Sequence, residues 1–336
     1  MVWLDLYRGM AVVLMIETHV LNTFLIGTAR EGALFSWLNF FNGLVAPAFL
    51  FIAGYLQGLG MRRNRGVVAG RKWLRLLGLA AISYAMHLPT ELLRSGRFEE
   101  ALRIGSQVDV LQCLAVSLAF LLVIQRWAGR AGDWILALSL AAIVGGAAPL
   151  QAWQGAPVPL LAFVNQTTGS LFPLFPWTGF VIAGALASRI VPPRHASVSA
   201  ALDALLPAAV FIVGYVLLAG IPYASLGVPF FLQRLAWVLG AAWAVKWLSV
   251  WIRPLWLQLA GRESLTMYVG HLVLISFIAG GRPDVARLEF SMAWSLYGVV
   301  LVATWLLAWG RTALVSSLKP VSKPAWNTPA PAAEAA

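Results

Sequence analysis

Residues 4–25 read LDLYRGMAVVLMIETHVLNTFL. The stretch is long and apolar enough to cross a bilayer as one helix, yet it carries Asp5, Arg8, Glu17, His19 and Asn22. Ionisable groups inside a span are expensive and mark functional positions by default. At 100° per residue, the steps from Arg8 to His19 return nearly to the same direction, about 16 Å further along the axis. Asp5 and Asn22 fall on the same stripe. Glu17 points the other way and needs a different partner or a proton. One helical face therefore presents a cation near one membrane surface and an imidazole well inside the slab.

Working outward, the 336 residues are 60% hydrophobic and 11% charged with 16 Trp, and the mean hydropathy of +0.79 lies outside the range of a soluble domain. The chain is expected to be an all-α, polytopic membrane bundle. A net charge of +11 would suggest nucleic acid in a soluble protein, but here Lys and Arg sit in short loops between apolar runs, the positive-inside signature. No nucleic-acid role is expected. Cys113 is the only cysteine, which excludes an intrachain disulfide and a Cys-based metal site. The four His are scattered without HExxH spacing, so no metal is expected.

Runs long enough to span lie near 4–25, 38–60, 73–88, 108–126, 134–150, 171–188, 204–220, 229–250, 263–280 and 292–315, about ten transmembrane helices. Gly27, Thr28 and Ala29 would make a passable signal-peptide cleavage site, but Glu17 and His19 interrupt the apolar core and Asp5 precedes it, against that reading. Arg62, Arg63, Arg65, Arg71, Lys72 and Arg75 make the loop after the second run basic. Every second loop thereafter is net basic too, with Arg126 and Arg130, Arg189 and Arg194, then Lys246, Arg253 and Arg262. Both termini are therefore expected in the cytoplasm. Residues 1–318 read as one transmembrane domain, and the Pro- and Ala-rich 319–336 as a disordered cytoplasmic tail.

With this orientation Asp5 and Arg8 belong at the cytoplasmic mouth, and His19 and Asn22 in the outer half of the first span. The third run ends with His87, and the fourth opens with VDVLQC, placing Asp109, Gln112 and Cys113 on one face. The eighth starts from the same side with Gln233 and Arg234. His19, His87, Asp109, Gln112 and Arg234 are candidates to converge on one pocket. In GRESLTMYVGH of the ninth, Ser264 and His271 are seven apart and share a face, with Tyr268 flanking. On blander readings His87 is interfacial, Asp109 and Gln112 only cap their helix, Arg8 and Arg234 are anchors at the two surfaces, and Cys113 is a small hydrophobe.

The LDxxRG opening with His at Arg plus eleven, APAFLFIAG, VDVLQ, FPLFPWTGFVIAG and GRESLTMYVGH, in this order, resemble the transmembrane acyltransferase superfamily. More narrowly, residues 1–315 resemble bacterial proteins related to the catalytic domain of heparan-alpha-glucosaminide N-acetyltransferase, with the Arg and His spacing also shared by acyltransferase family 3. The resemblance implies a helical bundle that takes an acyl group, typically acetyl from acetyl-CoA on the cytoplasmic side, and passes it to a sugar or similar acceptor on the other. It implies catalytic roles for His19, as base or acyl-transfer residue, and Arg8, which would meet the thioester or the CoA phosphates, with Asp5 beside them. His271 would help line the acyl-CoA tunnel. Asn22, Asp109, Gln112, Arg234, Tyr268 and His271 are the expected substrate- and cofactor-binding residues. In the heparan branch the position of His19 is commonly Asn, with the transferring His just beyond the span. The loop 26–36 holds no His here, so the family 3 assignment of His19 is the one followed. The eukaryotic enzyme's large luminal N-terminal domain is expected to be absent.

The chemistry stands on its own terms. A neutral imidazole can take a proton from an attacking hydroxyl or amine, and a guanidinium suits a phosphate or a developing oxyanion. The expected function is acyl-CoA-dependent transfer to a carbohydrate or envelope glycan at a bacterial-type cytoplasmic (inner) membrane. The alternative is a transporter or exporter whose translocation path the same polar stripe lines. Small residues such as Gly54 and Gly58 could pack within the chain or in a homodimer.

Overall fold

The computed structural model describes residues 2–63, 70–127, 131–190, 226–280 and 288–318. Its helices are α1 (Val2–Phe24), α2 (Ala33–Asn42), α3 (Val45–Arg63), α4 (Gly70–Met86), α5 (Thr90–Arg94), α6 (Phe98–Gly105), α7 (Val110–Trp127) and α8 (Gly132–Gly145). There follow α9 (Ala147–Gln151), α10 (Val158–Val164), α11 (Leu174–Ile190), α12 (Val228–Leu248), α13 (Leu255–Arg262), α14 (Ser264–Ile278) and α15 (Phe290–Ser317). Among the described residues there is no strand, as the all-α reading expects. An isolated bridge joins Leu25 to Leu288; there Ile26 N–H donates to Leu288 O at 3.0 Å and Leu288 N–H to Phe24 O at 2.8 Å, tying the end of α1 to the start of α15. The run at 204–220, Arg65, Arg130 and Arg194 of the basic loops, and the tail 319–336 lie outside the described residues.

Among the described residues, Ala33–Met61, Val110–Trp127, Val228–Leu248 and Phe290–Ser317 are long and apolar enough to cross a membrane, and Gly132–Gly145, Leu174–Ile190 and Ser264–Ile278 are shorter apolar helices. The run expected at 38–60 begins earlier and breaks between α2 and α3 at Gly43 and Leu44. Helix α1 has crossing length, 23 residues, and carries Asp5, Arg8 and Glu17 within it. On α15 the exposed side chains include Val299, Val302, Leu306, Leu307 and Trp309, so its outer face is as apolar as its inner one and suits lipid rather than water.

Helix α1 is the hub. Trp3, Leu4, Leu6, Tyr7, Val12, Ile16 and Val20 are all buried, and α1 packs against α3, α12, α13, α14 and α15. Its first half meets α13 backbone to backbone. A Cβ on Gly261 would run into the Asp5 carbonyl, and one on Gly9 into the Leu257 carbonyl. A second seam of this kind joins α3 to α11, where a Cβ on Gly54 would strike Val181 O and one on Gly184 would strike Phe51 O. Without bulk at these positions, helices approach closely enough for dispersion contacts to act where lipid offers no hydrophobic drive. Gly58 lies on the same seam against Ala185 and Ser188, so Gly54 and Gly58 serve packing within the chain.

Candidate active site

The polar stripe of α1 finds its partner in α14. Arg8 Nη2 donates to Ser264 Oγ at 2.5 Å. Further along both helices, His271 Nε2 lies 3.3 Å from His19 Nδ1, with ring centroids 5.0 Å apart. The two helices therefore run in the same direction. Each imidazole also places Nδ1 2.8 Å from the carbonyl one turn back, Met15 O for His19 and Met267 O for His271. A carbonyl only accepts, so the hydrogen-bond network assigns a proton to both Nδ1 atoms. His271 Nε2 then offers its lone pair to His19 Nδ1–H, and His19 Nε2 is left as the basic atom. His271 is fully buried; His19 is half-buried.

One turn before His271, Tyr268 donates its hydroxyl to Asp109 Oδ2 at 2.8 Å, while its ring stands edge-on to His271 at 5.6 Å. Asp109 immediately precedes α7. Gln112 reaches back to accept the Asp109 N–H at 3.0 Å, the Gln half of a capping box. The Asp109 carboxylate is turned to Tyr268 and to His87, whose Nε2 is 3.8 Å from Oδ2, and its charge also reaches His19. A second chain segment holds this corner still. Val108 N–H donates to Ser170 Oγ at 3.0 Å, Phe172 N–H to Val108 O at 3.1 Å, and Gln107 Nε2 to Thr168 O at 3.1 Å. Gln112 Nε2 is buried with no hydrogen-bond partner among the described residues, a donor still available.

A cavity of about 340 Å³ opens at the Arg8 end of the stripe, with Arg8, Ser264 and Gln57 in its wall beside Ala53, Leu56, Leu111, Leu114 and Leu118. The three leucines from α7 form one helical face that leads from the Asp109 corner towards Arg8, so α7 runs against α1. Around Arg8 the other charges are paired. Arg262 Nε donates to Asp5 Oδ2 at 3.3 Å, and Arg311 Nη1 to Glu263 Oε2 at 2.5 Å. Among the described residues, no three or more His, Cys, Asp or Glu are gathered as a metal site.

Not every expected residue joins. Arg234 sits at the C-terminal end of α2, where Nη1 donates to Phe40 O at 3.3 Å and the guanidinium lies over the rings of Phe40 and Phe230. Its place is set by Gly43, whose missing side chain leaves room for the guanidinium. Asn22, at the far end of the stripe, is exposed. Two residues outside the expected set contact it. His87 reads from sequence as interfacial beside Pro89, yet reaches Asp109. Ser264 shares the His271 face, a signal that its spacing did carry.

The family described as heparan-alpha-glucosaminide N-acetyltransferase, catalytic, matches residues 1–219. The chain belongs to this family. It is accordingly a transmembrane acyltransferase. The match to the acetyltransferase family takes in Arg8, His19, His87 and Asp109, while Ser264, Tyr268 and His271 lie beyond the matched stretch. No curated protein matches the chain.

Proposed function

We propose that this protein transfers an acyl group, acetyl foremost, from acyl-CoA on the cytoplasmic side to a sugar or envelope-glycan acceptor, with His19 as the base. The observation that carries the reading is the pairing of α1 with α14, which sets Arg8 and Ser264 in the wall of a largely apolar cavity and, further along the same two helices, His19 against His271. Arg8 and His19 are about 16 Å apart along α1, so Arg8 is too far away to touch the carbonyl at which His19 acts. Its role is to hold the phosphate-bearing part of the donor, with Asp5 and Arg262 beside it and the thioester arm lying along the leucine face of α7.

At the other end, His19 Nε2 takes the proton of the acceptor O–H or N–H as that atom attacks the thioester carbonyl. The C–S bond then breaks and the thiolate recovers the proton from His19. His271 holds the ring and shares its Nδ1–H. Asp109, aligned by Tyr268, binds the acceptor with Gln112, whose unpartnered Nε2 is a donor for an acceptor oxygen.

The same reading places about ten helices across a bacterial-type inner membrane with both termini in the cytoplasm, residues 1–318 forming one domain and 319–336 a tail. The parallel course of α1 and α14 and the opposed course of α7 agree with that alternation.

The test is transfer from labelled acetyl-CoA by purified protein in lipid nanodiscs, wild type beside His19→Ala, with amino sugars and envelope extracts as acceptors. Label should enter an acceptor with the wild type alone. A folded His19→Ala protein that remains active, or a folded wild type that neither binds acetyl-CoA nor transfers, overturns the proposal.

A further inference from the structure

A second cavity, about 600 Å³, lies between the end of α4, α5, α6 and α10. Two chain segments that form its wall lead directly to His87 and Asp109. Leu88 and Pro89 of its wall follow His87 directly, and Gly105 and Ser106 come just before Asp109. Its lining is apolar almost throughout. Of its few polar groups, the Ser106 hydroxyl is already donated to Arg103 O at 3.1 Å.

The helix that forms one wall is amphipathic. On α6, Phe98 and Leu102 are 67% and 58% exposed, while Glu99, Glu100 and Arg103 take other faces. That is the pattern of a helix lying in the membrane interface, apolar side towards the acyl chains. Leu88 and Leu93 add further exposed apolar surface beside it. The groove is thus a concave, ligand-sized apolar space whose wall segments flank His87 and Asp109 and whose exposed rim suits lipid.

We propose that this groove holds the hydrocarbon chain of a membrane-anchored acceptor, so that the acceptor is an amphipathic glycoside with its sugar at His19 and Asp109 and its chain passing between α4 and α6. The inference rests on the acyltransferase reading and names its acceptor class. A soluble glycan would need hydrogen-bond partners along its length, and this wall offers almost none. The donor cavity at Arg8 is lined from α1, α3, α4, α7 and α14 and shares no lining residue with this groove, so the two substrates would occupy separate spaces.

The experiment compares free glucosamine with butyl, octyl and dodecyl glucosaminides as acceptors of labelled acetyl, for wild type, Gly105→Ala and Gly105→Leu. A Cβ at Gly105 would make only ordinary contact with Pro89 at 3.4 Å, so alanine is tolerated and leucine projects into the groove. The wild type and Gly105→Ala should show kcat/KM rising roughly tenfold or more from butyl to octyl, as expected for burying several methylenes. Gly105→Leu should lose that gain and keep its rate with glucosamine. In parallel, an octyl glucosaminide carrying a diazirine on its chain should label residues 88–106 of the wild type and not of Gly105→Leu.

Transfer independent of chain length, with no labelling of this segment, overturns the inference and leaves the acyltransferase reading standing; the groove then holds bilayer lipid only. Absence of transfer to every acceptor overturns the acyltransferase reading, and with it the acceptor assignment, even if the diazirine labels the groove.

Discussion

His271 Nε2 faces His19 Nδ1 at 3.3 Å, while its own Nδ1 is held by Met267 O at 2.8 Å. This order of donors assigns the proton of each ring to Nδ1. On the proposed mechanism the base atom of His19 is then Nε2, and when that atom takes a proton, the lone pair of His271 and the Met15 carbonyl both face the Nδ1–H of the resulting imidazolium. In that role His271 would position the base and stabilise its charged form.

His19→Ala should therefore lower kcat by about 10²–10⁴-fold, the range for removing a general base. His271→Ala should lower kcat by a smaller factor, roughly tenfold to a hundredfold as for a lost orienting partner, and leave KM for acetyl-CoA unchanged. Gln at 271 retains an acceptor and should recover part of the loss. Equal damage from Ala and Gln, with the fold intact by size-exclusion elution, would remove the positioning role.

Arg8 is tied to Ser264 at the far end of the stripe, remote from the base. Arg8→Lys keeps the charge and loses the planar fork. It should raise KM for acetyl-CoA about tenfold with little change in kcat, the signature of lost uniform binding. Ser264→Ala should act in the same direction and less strongly. A fall in kcat without a change in KM would place Arg8 at the chemistry instead.

The stripe of α1 was legible because helical periodicity alone puts Arg8 and His19 on one face, and the same arithmetic joined Ser264 to His271. What periodicity does not contain is which helix each face meets. The seating of α13 on α1 rests on backbone contacts at Gly9 and Gly261, and the Asp109 corner is held by bonds from 107–108 to 168–172. Both are long-range, so sequence does not separate His87, which reaches Asp109, from Arg234, which packs at Gly43. The break between α2 and α3 is not legible because Leu44 continues the apolar run without interruption, and the packing of Arg234 against Gly43 marks the bend.

Tyr268 and Asp109 should behave as a unit. The Tyr268 hydroxyl donates to the Asp109 carboxylate, and on the proposed mechanism that carboxylate meets the acceptor, so Tyr268→Phe and Asp109→Asn each remove part of one interaction. Their combined effect on kcat/KM should fall short of additivity by about 1–3 kcal/mol, as for residues sharing one hydrogen-bond network. Strict additivity in the double-mutant cycle would mean that the two act separately.

The α3–α11 seam carries a stability prediction. Because a Cβ at Gly184 meets the Phe51 backbone rather than a movable side chain, Gly184→Ala should cost about 1–3 kcal/mol or more through overpacking. Gly298→Ala, where nothing lies within 4 Å, should leave the melting temperature unchanged or slightly raised. Thermal unfolding in detergent, followed by tryptophan fluorescence, compares the two directly, and equal melting temperatures would contradict the close approach.

Glu17 lies on the back of the organising helix, 2% exposed. The polar groups it faces are Asn42 and Tyr297, away from His19. Burying a carboxyl group is a cost to the fold, and its direction keeps it out of the proposed transfer chemistry. Glu17→Gln preserves the shape and removes the charge. The variant should melt at the same temperature or higher, and its transfer rate should stay within about twofold of wild type, a change of well under 1 kcal/mol in the barrier. Loss of transfer from a Glu17→Gln protein of normal stability would show that the carboxyl group serves the reaction from behind the helix.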